Sequence, residues 1–158
     1  VKNPGKLVAF AIERQRYALY LSAVEQIVRA VEITSLPKAP EIVAGVINLH
    51  GRVIPVLNIR RRFRLPEREI SSSDQFIIAR TSKRTVALCA DDVSGVIECP
   101  EQEVEPSREI LPHMEYVEGV VKLDDGIVLI HDLDTFLSLE EEKKLDKAVD
   151  KRSREEKR

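Results

Sequence analysis

One pattern of apolar residues is written twice in this chain. Positions Tyr17 to Val28 are echoed in register by Val86 to Ile97, and Ile42 to Leu49 are echoed by Tyr116 to Leu123, with Gly45 falling on Gly119. The echoes follow in the same order, so the chain carries a duplicated unit of about 60 residues. Two copies are too few for a solenoid, which needs at least about three repeats to bury a continuous core. Two similar compact halves are the expectation.

Each half consists of short apolar runs, rich in Val and Ile and separated by turn-forming residues, which reads as strands. Leu7 to Ile12 opens the first half. Gly51 sits between the runs Val46 to Leu49 and Val53 to Leu57, and Asp124-Asp125-Gly126 sits between Val120 to Leu123 and Ile127 to Ile130, as hairpins require. Several runs are apolar on both alternating faces. A strand tolerates that when one face lines a barrel and the other is covered, so an apolar seam between two barrels is expected. Pro55 predicts an edge or bulged position, because proline has no N–H to give to a ladder.

Composition places the boundaries. The polar stretches Leu65 to Glu69 and Ser71 to Asp74 read as a linker, giving a first barrel over 5–66 and a second over 74–139. Cys99 to His113 holds three prolines and several glutamates, and reads as an irregular excursion in the second half. Over 140–158 the pattern becomes a charged helix or tail. Ser138 and Glu141 have the spacing of a capping box, Leu139, Leu145, Ala148 and Val149 form a thin apolar stripe, and Asp150 to Arg158 is expected to fray.

Several functional classes find no support. No apolar stretch approaches the roughly 20 residues of a membrane span, and Val1 to Lys6 carries no secretory apolar region, so a cytoplasmic location is expected. Cys89 and Cys99 lie in no metal-binding spacing and read as structural thiols. No phosphate-cradling glycine loop occurs. His50, His113 and His131 stand in no catalytic spacing, and Asp132 and Asp134 read as ending a strand and starting a helical turn rather than joining His131 in a metal site. Asp91-Asp92 follows a strand and reads as a cap. No catalytic residue, metal or cofactor is expected, and the chain does not read as an enzyme. The run Arg60-Arg61-Arg62-Phe63-Arg64 favours a rival reading, a barrel-fold nucleic-acid binder, since guanidiniums around an aromatic ring clamp phosphates and stack on bases. A formal charge of −2 weighs against it.

The stretch from Ile42 to Phe63, with Gly45-Val46-Ile47-Asn48-Leu49-His50-Gly51 followed by Val53-Ile54-Pro55-Val56-Leu57-Asn58-Ile59-Arg60, resembles the signature of CheW-type coupling proteins. The resemblance extends over nearly all of Leu7 to Leu139. It implies a mainly β fold of two fused five-stranded SH3-like barrels with a C-terminal helix, in agreement with the duplication. It also implies an adaptor that holds the cytoplasmic tip of a methyl-accepting chemoreceptor against the regulatory domain of a CheA-type histidine kinase, recruited to receptor arrays. By matched position, the kinase-facing patch comprises Val24, Gln26, Gly45 and His50, and the receptor-facing groove comprises Phe76 and Val96. The family usually has glutamate where Gln26 stands and arginine where His50 stands, so partner specificity is expected to differ.

Overall fold

A computed structural model describes residues 5–106 and 115–156. Its strands are β1 (Lys6–Ile12), β2 (Gln15–Tyr20), β3 (Val24–Arg29), β4 (Val43–Leu49), β5 (Arg52–Leu57), β6 (Gln75–Arg80), β7 (Thr85–Ala90), β8 (Asp92–Glu98), β9 (Val104–Pro106), β10 (Val117–Leu123) and β11 (Gly126–His131). Two helices complete it, the short α1 (Ile59–Arg62) and the C-terminal α2 (Leu139–Glu156). One sheet runs β8-β1-β2-β11-β10-β9 and the other β3-β6-β7-β5-β4. This is the mainly β, two-barrel architecture with a C-terminal helix that the sequence predicts.

The sheets do not follow the sequence halves, which corrects the division at 5–66 and 74–139. The hairpin β1–β2 is inserted between β8 and β11, and its counterpart β6–β7 is inserted between β3 and β5. The two copies have thus exchanged their first hairpins. The exchange is reciprocal down to the register. Val56 lies opposite Ala87 in a parallel pairing, as the equivalent Ile130 lies opposite Ala18. Register shifts recur between Val43 and Gly45 and between Val117 and Gly119. Each sheet is completed only by strands from the other half, so neither half closes a barrel alone.

This exchange explains the two-faced strands. Along β6, Phe76 and Ile78 fill the interior of one barrel with Ile47, Ile54 and Val56, while Ile77 and Ala79 face a central layer shared with Phe10, Tyr17 and Leu129 of the other sheet. Val128 and Ile130 of β11 fill the second barrel with Leu7 and Val121. The central layer is the expected seam. Removing these side chains from water supplies the main stabilisation, on the order of 25 cal/mol per Å² of apolar surface.

Local chemistry explains most turns. The β4–β5 hairpin turns on His50 and Gly51, both at positive φ (52° and 85°), and Asn48 Oδ1 accepts from Gly51 N at 2.9 Å. Pro55 departs from expectation, because β5 lies inside its sheet. The parallel ladder to β7 covers only Val56 and Leu57, so the proline precedes it and interrupts no bond there. The capping box is formed in both directions, Ser138 N donating to Glu141 Oε1 (2.9 Å) and Glu141 N to Ser138 Oγ (3.1 Å). Leu145 and Ala148 dock in the central layer, but Leu139 is 71% exposed and leaves the predicted stripe. The helix also continues through Glu156 rather than fraying at Asp150. Within the excursion, β9 adds an unforeseen strand beside β10, and His113 lies outside the described residues.

Candidate functional site

The β4–β5 hairpin tip stands against the start of β3, because Arg52 Nη1 donates to Glu25 Oε2 at 3.0 Å and Arg52 Nη2 to Thr85 Oγ1 at 3.1 Å. The side-chain bond from Arg52 is the main reason the Glu25 carboxyl titrates below its ordinary value. Gln26 follows Glu25, and His50 precedes Arg52 by two residues; both are exposed. Two positions far apart in sequence therefore lie at one accessible corner. Val24 is half-buried at the start of the same strand and packs on the central layer. Gly45 is buried, and a Cβ there would lie 2.4 Å from Thr34 O, so its glycine admits the Thr34–Val46 bridge. It packs against Ile33 and Thr34, away from the hairpin tip, and presents no side chain.

The other predicted pair is not brought together. Val96 lies on the edge strand β8 of the six-stranded sheet and is 56% exposed. Phe76 lies in β6 of the five-stranded sheet, is 0% exposed, and is a large component of a barrel interior. Its role as a receptor contact is corrected by that burial. Only Val96 of the two offers a surface for a helix.

Three of the four arginines of the run, Arg60, Arg61 and Arg62, are committed internally. Arg60 pairs with Glu13 and, through Nη2, with both carboxylate oxygens of Asp91 (2.7 and 2.8 Å). Arg61 Nε meets Glu67 at 2.5 Å, and Arg62 Nη2 meets Glu141 at 2.6 Å while its guanidinium lies 5.2 Å from the Tyr116 ring centroid. Phe63 stacks on His131 with ring centroids 5.0 Å apart. Guanidiniums already facing carboxylates gain little from phosphate, so the nucleic-acid reading loses its main support.

Two sets of residues escaped the sequence reading. The presumed linker is a strap: Arg68 makes a bidentate pair with Asp74 (2.8 and 2.7 Å) and reaches Asp91 at 2.6 Å. Asp74 is 2% exposed, and chiefly the Arg68 bond holds its carboxyl below the usual range. Asp91 is not the cap expected but the hub. Burial opposes its charge, yet Arg60 and the Glu13 N–H, which donates at 2.8 Å, hold its pKa down. Beside them, burial first and Asp74 second push the Cys89 thiol up to about 12. A buried aspartate within a Ser-rich turn has no sequence signature. The second set surrounds His131, whose ring packs among Phe10, Tyr17, Phe63 and Phe136 with no hydrogen-bond partner on either nitrogen among the described residues. Burial lowers its pKa to about 3, so it is a neutral ring at pH 7. The following Asp132 precedes a 3-10 turn at Leu133–Thr135 without a side-chain cap, and Asp134 Oδ1 accepts from Ser82 N at 2.7 Å.

Comparison with known proteins agrees with this architecture. Residues 6–141 match the model of the CheW-like domain. The chain is 30% identical over 142 residues to the chemotaxis protein CheW of Bacillus subtilis, covering 89% of this chain and 91% of the relative. It is 27% identical over 146 residues to the chemotaxis protein CheW of Treponema pallidum, covering 89% and 86%. The crystal structure of the scaffolding protein TtCheW from Thermoanaerobacter tengcongensis superposes with a TM-score of 0.79 at 32% identity, covering 87% of this chain and 95% of that one.

Proposed function

The chain belongs to the CheW-like domain family, the chemotaxis scaffolds, and from that membership we propose that it holds a chemoreceptor tip against the regulatory domain of a CheA-type histidine kinase. It acts by proximity. Holding two partners on one rigid body raises their effective concentration, and receptor state then biases kinase state without any bond being made or broken. The work is done in the cytoplasm, at the receptor array. No helix among the described residues is long and apolar enough to cross a membrane.

The observation that carries this reading is the exposed corner formed by the signature hairpin and β3. Gln26 and His50 are accessible there, and the Arg52–Glu25 pair ties the hairpin to the strand; Val24 and Gly45 are carried into the patch by their matched positions. A rigid, mixed polar surface of this kind suits a protein partner. We assign the kinase to it. Val96, on the edge of the other sheet, is the position for the receptor helix.

Calorimetry with a CheA regulatory domain from the same organism tests the kinase assignment. Binding is expected, and the double substitution Gln26→Glu with His50→Arg shifts preference toward kinases that carry complementary charges. An unchanged preference removes both positions from the interface. No binding to any such kinase, alongside salt-sensitive binding of an oligonucleotide, overturns the adaptor reading.

A further inference from the structure

Three side chains close a hydrogen-bonded ring at one end of the five-stranded sheet. Arg52, at the start of β5, donates from Nη1 to Glu25 Oε2 on β3 (3.0 Å) and from Nη2 to Thr85 Oγ1 at the start of β7 (3.1 Å). The Thr85 hydroxyl donates in turn to the other Glu25 oxygen at 3.2 Å. Threonine suits this place because its hydroxyl accepts one bond while donating another. It arrives from the other half of the sequence, carried in by the exchanged hairpin β6–β7. The Arg52 and Glu25 side chains are 50% and 32% accessible, so the ring adds little to folding. What it fixes is position. The hairpin tip it holds carries His50 in the left-handed region (φ 52°), a conformation that side chains rarely adopt, and Gln26 directly follows Glu25 on β3.

The second copy lacks this ring. Carried through the duplicated register, Glu25, Arg52 and Thr85 become Ser94, Gly126 and Arg16, while Gln26 and His50 become Gly95 and Asp124. Arg16 Nη2 donates to Asp125 Oδ1 at 2.9 Å, which ties the second hairpin to β2, and Ser94 Oγ donates instead to Ala9 O at 3.4 Å. Among the described residues, no side-chain hydrogen bond joins that hairpin to β8. The fold therefore offers two pseudo-equivalent corners, and side-chain bonds lock hairpin tip to edge strand in the first.

We propose that Glu25, Arg52 and Thr85 are positioning residues, which hold His50 and Gln26 in their bound arrangement before the kinase arrives and so select this corner over its counterpart. The inference rests on the assignment of the kinase to the corner at Gln26 and His50. A tip that is already ordered spends less of the binding free energy on being ordered, and the partner meets the locked corner at lower entropic cost than the untied one.

Thr85→Val, which removes the hydroxyl and keeps the shape of a good strand residue, tests the ring in the full chain, with Thr85→Ser as the variant that restores the hydroxyl. Nitrogen-15 relaxation of the free protein is read at the Gly51 and Arg52 amides, and calorimetry with a CheA regulatory domain from the same organism is read beside it. In Thr85→Val the order parameters are expected to fall from about 0.85 toward 0.6, and kinase affinity to weaken about tenfold, the cost of ordering one or two side chains on binding. Thr85→Ser keeps both. Glu25→Ala and Arg52→Ala each weaken the kinase by a similar factor and together by no more than either alone, as members of one ring do. Asp124→Arg, at the counterpart of His50, leaves kinase affinity within about twofold. An ordered tip in Thr85→Val, additive losses in the Glu25 and Arg52 variants, or an equal loss from Asp124→Arg overturns the inference. A loosened tip with full affinity overturns it alone when Gln26→Glu with His50→Arg still shifts kinase preference; where that pair shifts nothing either, the kinase assignment falls and the inference falls with it.

Discussion

The corner built around Asp91 and the corner built around His131 occupy equivalent places in the duplicated fold and are held together by opposite means. At the first, Arg60, Arg68, Glu13 and Asp74 form a network of charge-assisted bonds around one carboxylate. At the second, Phe10, Tyr17, Phe63 and Phe136 enclose a neutral imidazole. The backbone registers at the two corners nevertheless match, in the parallel pairings and in the bulges beside Gly45 and Gly119. Duplication has preserved the strand ladder, which tolerates few changes, while the inter-sheet side chains have diverged because several kinds of packing fill that space.

The largest effect is expected from removing the hub. Asp91→Ala leaves Arg60 nearly buried with only Glu13 and the Pro66 carbonyl for partners, and uncovers Arg68 on one side. Breaking a buried pair at one end costs about 3–5 kcal/mol. Because Asp91 is partly exposed, about 3 kcal/mol is expected, read as a fall in the urea midpoint with an unchanged slope. The substitution Ser22→Asp, which writes the hub residue into the other corner, should not stabilise, since Asp134 stands at the position equivalent to Arg60 and lines the same pocket. A gain in stability from Ser22→Asp would break the comparison.

The second effect is one of pH and falls only on the aromatic corner. His131 is held at about 3 in the folded chain and returns to about 6.5 on unfolding, so between these values the unfolded chain binds more protons. Its contribution is therefore fully present above about 6.5 and declines as pH falls toward 3. Two pH units into that window the loss is about 3 kcal/mol. Asp74 and Asp91, whose folded pKa values are lowered, lose their contribution only as pH falls through the carboxylate range near 4 and below. Urea unfolding at pH 7 and pH 4.5 should show that His131→Leu, the residue found at the equivalent Leu57, flattens most of the decline. An equal decline in the variant would mean that the carboxylate corner carries it.

The strands, both hairpins, the capping box and the apolar seam were legible in the sequence because each rests on local periodicity or on a short turn motif. The exchange of β1–β2 with β6–β7 was not. Strand runs of identical character pair equally well with either half on pattern alone, and the choice is made by the short connections that carry β2 into β3 and β7 into β8 across the seam. Arg68 and Asp74 were read as linker for the same reason, since their pairing is closed by Asp91 and Arg60 from elsewhere in the fold. Phe76 shows the limit of carrying a position over from a family: the match names a strand, but burial decides whether its side chain meets a partner.

A smaller effect separates the paired glycines. At Gly45, where φ is +154°, a Cβ meets a backbone oxygen at 2.4 Å, whereas at Gly119 it meets the Val104 side chain at 2.7 Å. Backbone cannot yield as a side chain can. Gly45→Ala is expected to cost roughly 2–4 kcal/mol and Gly119→Ala roughly 1–2 kcal/mol, measured as the difference in unfolding free energy. Equal costs would show that the Thr34–Val46 bridge moves as freely as β9.

The smallest effect on stability, and the sharpest on the proposed receptor contact, is expected at Val96. It occupies the place in the second copy that Ile27 holds in the first, and both are exposed on strands at the sheet edges. An exposed valine exchanged for lysine on an edge strand changes stability within about 0.5 kcal/mol, because the ammonium remains in water. When a receptor helix covers the position, that water is lost, and an unpaired charge there weakens binding by roughly 2–4 kcal/mol. Kinase affinity should remain, since the corner at Gln26 and His50 belongs to the other sheet. Ile27→Lys supplies the matched control on the first copy, with a similarly small effect on folding and none on the receptor. Thermal unfolding together with both affinities decides the assignment: a folded Val96→Lys protein that binds receptor normally rejects it. Equal loss of receptor binding in both variants would instead spread the contact over both copies, and the receptor would then follow the pseudo-symmetry of the fold rather than one edge.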